Sequence, residues 1–155
     1  DESTLFFQTD VIDNGSYLLQ FTFGLDSTNN ISNNYVNHPE SFHLKMFWPE
    51  MQGGGYHYMK LEGDFDTITQ GYATHTGPTM GMDYSFTPNL EENLNINIDN
   101  STGNLEYSIG MNINNWYSNP NTVNLDGAIM MNMSKQMQLK QNGMTDVFSI
   151  EEILD

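Results

Sequence analysis

Apolar and polar residues alternate along this chain in short runs, and clusters of Asn, Asp, Gly, Ser and Pro interrupt them at intervals of roughly ten residues. That rhythm predicts an all-β fold, an antiparallel β-sandwich. Strands are expected at Ser16 to Gly24 ("SYLLQFTFG"), Tyr56 to Gly63, Gly71 to Thr76, Met82 to Phe86, Leu94 to Ile98 and Leu105 to Ile113. "NLNINIDN" and "NLEYSIGMNIN" flank the turn residues "DNSTGN", so the last two strands read as a hairpin. The alternation assigns Phe21, Phe23, Leu61, Ile96, Ile98, Ile109 and Phe148 to the core.

One segment departs from the two-residue period. "DGAIMMNMSKQMQLKQNG" predicts a short helix near the C-terminus, with Asp126 as its cap and Gly143 as its stop. Met130, Met133 and Met137 would then share one face. Unbranched methionines commonly fill a core face, which is the favoured reading here, although the same spacing suits a Cu(I)-binding stripe.

At 155 residues and 37% apolar content the chain is expected to form one domain, 1–155, with its own core. Its formal net charge of -16, with four Lys and no Arg, disfavours nucleic acid and anionic membrane surfaces and favours cations as small partners. No run is long and apolar enough to span a bilayer as a helix, so direct membrane insertion is not expected. Cysteine is absent, so a metal would have to be held by His, Met, carboxylate or carbonyl. The few basic residues and the Asn-rich composition suit an extracytoplasmic protein.

The chemistry gathers in one stretch. All four histidines, His38, His43, His57 and His75, lie within one continuous quarter of the chain. In an extended "YHYMKLEG" segment, alternation puts His57 and Met59 on one face, and a neighbouring "GYATHTG" strand could bring His75 alongside. His43 and Met46 stand close before Trp48. Imidazole with thioether is a soft donor set that suits copper among first-row ions. The competing reading is that each histidine hydrogen-bonds a loop carbonyl or lies exposed. His38, before a proline in a polar loop, is set aside on that ground. The triple glycine before Tyr56 reads as a tight turn, a bulge or a close approach of backbone to the site.

"YLLQFTFGLDSTNN", then "MFWPEMQGGGYHYMKLEG", then "HTG" resemble the MbnP-like family of bacterial copper-associated proteins, with its "GVDSxxN", "MxW…GYxxxKLEG" and "HxG" segments. The matching positions are Gly24 to Ser27 with Asn30, then Met46, Trp48, Tyr56, Lys60 to Gly63, and His75 with Gly77. The resemblance implies an extracytoplasmic β-sandwich, periplasmic or at the cell surface, often lipid-anchored, that handles copper. It also nominates Trp48 for oxidation to kynurenine by a partner di-haem enzyme of the peroxidase type. Opening the indole ring converts a packing residue into an aryl amine that can ligate. The chain departs from the family in having Glu50 where many relatives carry a second tryptophan, and in having little ahead of the "GVDS" segment, so it reads as the C-terminal part of a longer precursor.

The expected function is therefore non-enzymatic copper handling, with His43, Met46, His57, Met59 and His75 as candidate ligands and Trp48 as a possible oxidised one. No nucleophile elbow or zinc-protease helix motif is present. The alternative is a cell-surface interaction module within an outer-membrane complex, with calcium held by acidic loops such as "LDSTNNISNN" or "GDFDT", although these lack the spacing of an EF-hand loop.

Overall fold

The computed structural model describes residues 7–37, 42–65, 70–89, 95–102, 106–125 and 129–153. Within them the strands pair two by two, all antiparallel: β1 (Gly15–Leu18) with β4 (Asn95–Ile98), β2 (Met59–Phe65) with β3 (Gln70–Thr76), and β5 (Glu106–Met111) with β6 (Phe148–Ile153). A five-residue helix, α1 (Phe42–Met46), precedes β2, and the main helix, α2 (Met133–Thr145), precedes β6. Short 3-10 turns and irregular segments make up much of the remainder.

The antiparallel class matches the sequence reading, while several boundaries and one pairing do not. The first expected strand ends early: β1 stops at Leu18, and Phe23 instead forms a single bridge to Phe86, donating and accepting across 2.8 and 3.2 Å. That bridge is also the only strand-like pairing within the expected Met82–Phe86 strand. The expected hairpin between the last two predicted strands, which correspond to β4 and β5, is not the pairing observed. β4 takes β1 and β5 takes β6, and the Tyr107 hydroxyl of β5 donates to the Asn97 carbonyl of β4 at 3.1 Å. Alternation marks a strand as two-faced but carries no information on which antiparallel neighbour completes its ladder.

The core is supplied more by turns and α2 than by strands. Phe86, Trp116, Val123, Ile129, Leu139, Val147 and Phe148 form one buried cluster, with Phe21, Phe23 and Met59 packed against it. Rings meet edge-to-face or tilted, as Phe21 on Phe148 at 5.2 Å and Phe23 on Trp116 at 5.1 Å, the geometry that aromatic quadrupoles favour. Of the expected core residues, Phe148 is buried, and Leu61, Ile96 and Ile98 are half-buried. Ile109 is 49% exposed, because its ribbon meets the core through the opposite strand, where its partner Ile150 and Phe148 pack into the cluster.

Helix α2 corrects the sequence reading most. It starts at Met133, with the Asn132 side chain accepting the Lys135 N–H at 3.0 Å as the cap; Asp126 lies outside the described residues. Gly143 does not stop the helix. It lies inside and is buried, where a Cβ would come within 2.2 Å of Phe86 and 2.7 Å of Trp116, so only glycine lets the helix approach those rings. The buried face is Gln136, Leu139, Asn142 and Gly143, while Met133 and Met137, expected inside, are 45% and 43% exposed. The polar members of the buried face are kept there by hydrogen bonds. Fully buried Asn142 donates to the Trp116 and Asn121 carbonyls, both at 2.8 Å, and accepts the Asn121 N–H at 2.8 Å.

Truncating Asn142 strands three main-chain groups in a low-dielectric interior. Asn142→Ala is therefore expected to lower the unfolding free energy by about 2–4 kcal/mol. Met137→Ala, on the solvent side of the same helix, should stay within about 0.5 kcal/mol of wild type. Urea denaturation of both variants checks the contrast, and equal losses would contradict this assignment of faces.

Candidate metal centre

The site is built by a tight return of the chain between Met46 and His57. Gly53, Gly54 and Gly55 take φ of 126°, 70° and 87°, left-handed conformations that glycine adopts without a Cβ penalty. Their turn lets the Trp48 N–H reach the Gly55 carbonyl at 2.8 Å and bridges Phe47 to Tyr56. The last bond of the return is double. The Met46 carbonyl accepts the His57 main-chain N–H at 2.6 Å and lies 2.9 Å from His57 Nδ1.

That contact determines the ring chemistry of His57. A carbonyl only accepts, so Nδ1 carries the proton and Nε2 carries the lone pair. His57 is 7% exposed, and Nε2 is buried with no hydrogen-bond partner. A buried imidazole nitrogen with an unused lone pair suits a metal better than it suits packing. Burial pushes the His57 pKa below its ordinary value; the neighbouring His75 and Lys60 add to that shift and the Met46 carbonyl opposes it.

His75 meets this ring from β3. The two ring centroids are 5.0 Å apart and nearly perpendicular. His75 Nε2 lies 2.5 Å from Glu62 Oε1, so the carboxylate orients the second ring and leaves Nδ1 as the lone-pair nitrogen of its neutral form. The bond from His75 also holds the Glu62 carboxyl below the usual range. Register explains the contact: Lys60 pairs with His75 and Glu62 with Ala73, so all four share one face of the β2–β3 ribbon.

Met59 belongs to the other face. It pairs with Thr76 and packs against the hydrophobic cluster, so the structure does not bring it to the imidazoles. A bend at Tyr58, whose N–H is bound to the Thr76 carbonyl at 2.7 Å, interrupts the alternation that would have put His57 and Met59 side by side. His43 is held apart from the pair as well: its Nδ1 is 2.9 Å from the Tyr56 hydroxyl, and its ring packs on Phe47 and Tyr56. Met46 contributes its carbonyl to His57. His38 lies outside the described residues. Among the described residues no group of three His, Asp or Glu side chains converges as a metal cage.

Trp48 closes the site from within. It is fully buried, its ring centroid is 4.7 Å from that of His57, and its Nε1–H donates to the Gln52 carbonyl at 3.1 Å. Gly77 explains the glycine of "HTG": a Cβ there would lie 2.4 Å from the Trp48 ring. Two residues that sequence reasoning missed hold this arrangement. Glu62 could have been found from the register of the ribbon. Gln136 had no signal beyond being polar on a helix face; it is 1% exposed, donates to the His75 carbonyl at 2.7 Å and accepts the Gly77 N–H at 3.4 Å.

Two outcomes follow. Gly77→Ala must displace Trp48 and is expected to cost about 1–3 kcal/mol, with a change in tryptophan fluorescence; an unchanged spectrum and midpoint would contradict the contact. His57 has its pKa lowered on folding, so the unfolded chain binds more protons as pH falls through the ordinary value of about 6.5. Its contribution to stability is present above that pH and is lost below it. The stability difference between wild type and His57→Gln should therefore shift against wild type on going from pH 7.5 to pH 5, as read by denaturation at each pH.

No curated protein and no solved structure matches this chain at a significant level. The family model described as MbnP matches residues 1–140, a span that contains the return between Met46 and His57, the ribbon with Glu62 and His75, and the buried Trp48. The chain belongs to the MbnP family.

Proposed function

We propose that this protein is a non-enzymatic, extracytoplasmic copper-handling protein with a β-sandwich body, and that copper is its cargo, held between His57 and His75. The observation that carries the reading is the buried, unpartnered Nε2 of His57 on a ring whose centroid lies 5.0 Å from that of His75. The donor set fits the ion: two imidazoles, each with its other ring nitrogen held by an oxygen of the protein, suit Cu(I), which accepts low coordination numbers and soft or borderline ligands.

Each protein group then has a definite task. The Met46 carbonyl keeps the His57 proton on Nδ1. Glu62 orients His75, as carboxylates orient metal-binding histidines elsewhere. Gln136 secures the main chain at His75 and Gly77. Trp48, in contact with His57, is the residue we assign to ring opening by a di-haem enzyme of the peroxidase type. Cleavage of the indole C2–C3 bond would consume two equivalents of hydrogen peroxide, placing one oxygen on each carbon and releasing two waters; hydrolysis of the resulting formamide with one further water would release formate and leave an aryl amine as an added nitrogen donor. Family membership supports this role, and the 4.7 Å contact supports the position.

The calcium-stabilised interaction module draws less support. Asp26 Oδ1 in "LDSTNN" already accepts from the N–H and side chains of Thr28 and Asn29, at 2.7 to 3.0 Å. Asp83 is likewise taken up by Ser27, Ser85 and Tyr58. These carboxylates act as loop caps.

Competition titration with a Cu(I) chelator tests the proposal. The His57→Ala, His75→Ala double variant is expected to lose at least about tenfold in affinity, or about 1.4 kcal/mol, relative to wild type. Indistinguishable affinities would overturn it. Intact-mass measurement on protein from its native host tests the Trp48 assignment separately, through loss of one carbon and gain of one oxygen at that residue.

A further inference from the structure

The methionines of α2 have two possible uses, packing or metal binding, and the structure leaves two of them off the buried face of the helix. Met133 and Met137 are 45% and 43% exposed, while the helix buries Gln136, Leu139, Asn142 and Gly143 against the core. They lie one turn apart at i and i+4, so their Cβ atoms are about 5–6 Å from each other on one side of a regular helix. Unbranched side chains from such positions can converge on one ion without any change in the backbone. Thioether sulfur is neutral and soft, so a pair of them selects Cu(I) over Cu(II), zinc or calcium.

We propose that Met133 and Met137 form a second, weaker Cu(I) site on the solvent face of α2. The helix is a rigid platform for it: Asn132 caps its start, and Gln136, between the two methionines in sequence, ties the helix to the His75 carbonyl at 2.7 Å and to the Gly77 N–H at 3.4 Å. The thioether pair is thus carried on the element that braces the strand end of the imidazole pair. Met144 supplies an internal reference. It falls on the same side of the helix and is 37% exposed, but its neighbours one turn before it are Lys140 and Gln141, so it is a lone thioether.

The site rests on thioether chemistry and helix geometry rather than on His57 and His75, and the test separates the two. Protein labelled with carbon-13 at the methionine methyl groups is titrated with Ag(I), a redox-inert stand-in for Cu(I), in three forms: wild type, Met133→Leu with Met137→Leu, and His57→Ala with His75→Ala. The Met133 and Met137 methyl signals are expected to shift with one shared midpoint in wild type and in the histidine variant, with Met144 responding only at higher Ag(I). In the leucine variant, chelator competition should show one fewer bound equivalent of Cu(I), with the tight site retained. Separate midpoints for Met133 and Met137, a Met144 response equal to theirs, or an unchanged stoichiometry in the folded leucine variant would overturn the site. Loss of the tight site in the histidine variant, or its persistence there, bears on the imidazole pair alone. Leucine at both positions is close in size and helix propensity, and circular dichroism with the thermal midpoint verifies that the variant is folded.

Discussion

The Met46 carbonyl, accepting both the main-chain N–H and the ring Nδ1–H of His57, is the contact on which the site depends. One oxygen fixes the backbone return and the tautomer together. If it were lost, the ring could rotate, its protonated nitrogen could take either position, and the lone pair would no longer point in one direction. The three glycines of left-handed conformation make that contact possible, because no other residue would turn the chain so sharply back on itself three times in succession. Trp48 is carried along by the same return, which is why a fully buried indole ends in contact with a histidine nine positions later.

The ribbon and the helix supply the second half. Antiparallel register puts Glu62 diagonally across from His75 and puts Thr74, Thr76 and Met59 on the opposite, core-facing side. Gln136 reaches from α2 to the end of that strand and is retained in the interior by its bonds to His75, Gly77 and the Ile129 carbonyl. A polar side chain costs free energy when buried unless such partners exist. Here they do, and the result is a brace between the aromatic core and the imidazole pair.

Sequence alone carried the antiparallel strands, the ribbon of β2 and β3, the helix near the C-terminus and the closeness of the His57 and His75 rings, while the sandwich arrangement of the strands is not among these. Those rest on local period and on the crowding of histidines, which are visible in one dimension. The partner of each strand was not visible, because β1 and β4 are far apart in sequence and any alternating strand would satisfy either. Met59 was assigned to the site on strict alternation, which one bend at Tyr58 cancels. His43 was grouped by proximity in sequence, yet α1 directs it to the Tyr56 hydroxyl. The faces of α2 were read from hydropathy, whereas close approach of Gly143 to two rings and the hydrogen bonds of Asn142 decided which side is inside.

The proposed site holds one copper ion between these two imidazoles. X-ray absorption at the copper K-edge, on protein loaded with a single equivalent of Cu(I), addresses it directly. The account predicts a low-coordinate Cu(I) edge with the outer-shell scattering pattern of two imidazole rings, and disappearance of that pattern in the His57→Ala, His75→Ala variant. A first shell of oxygen or sulfur alone in the wild-type protein, without imidazole scattering, would contradict it.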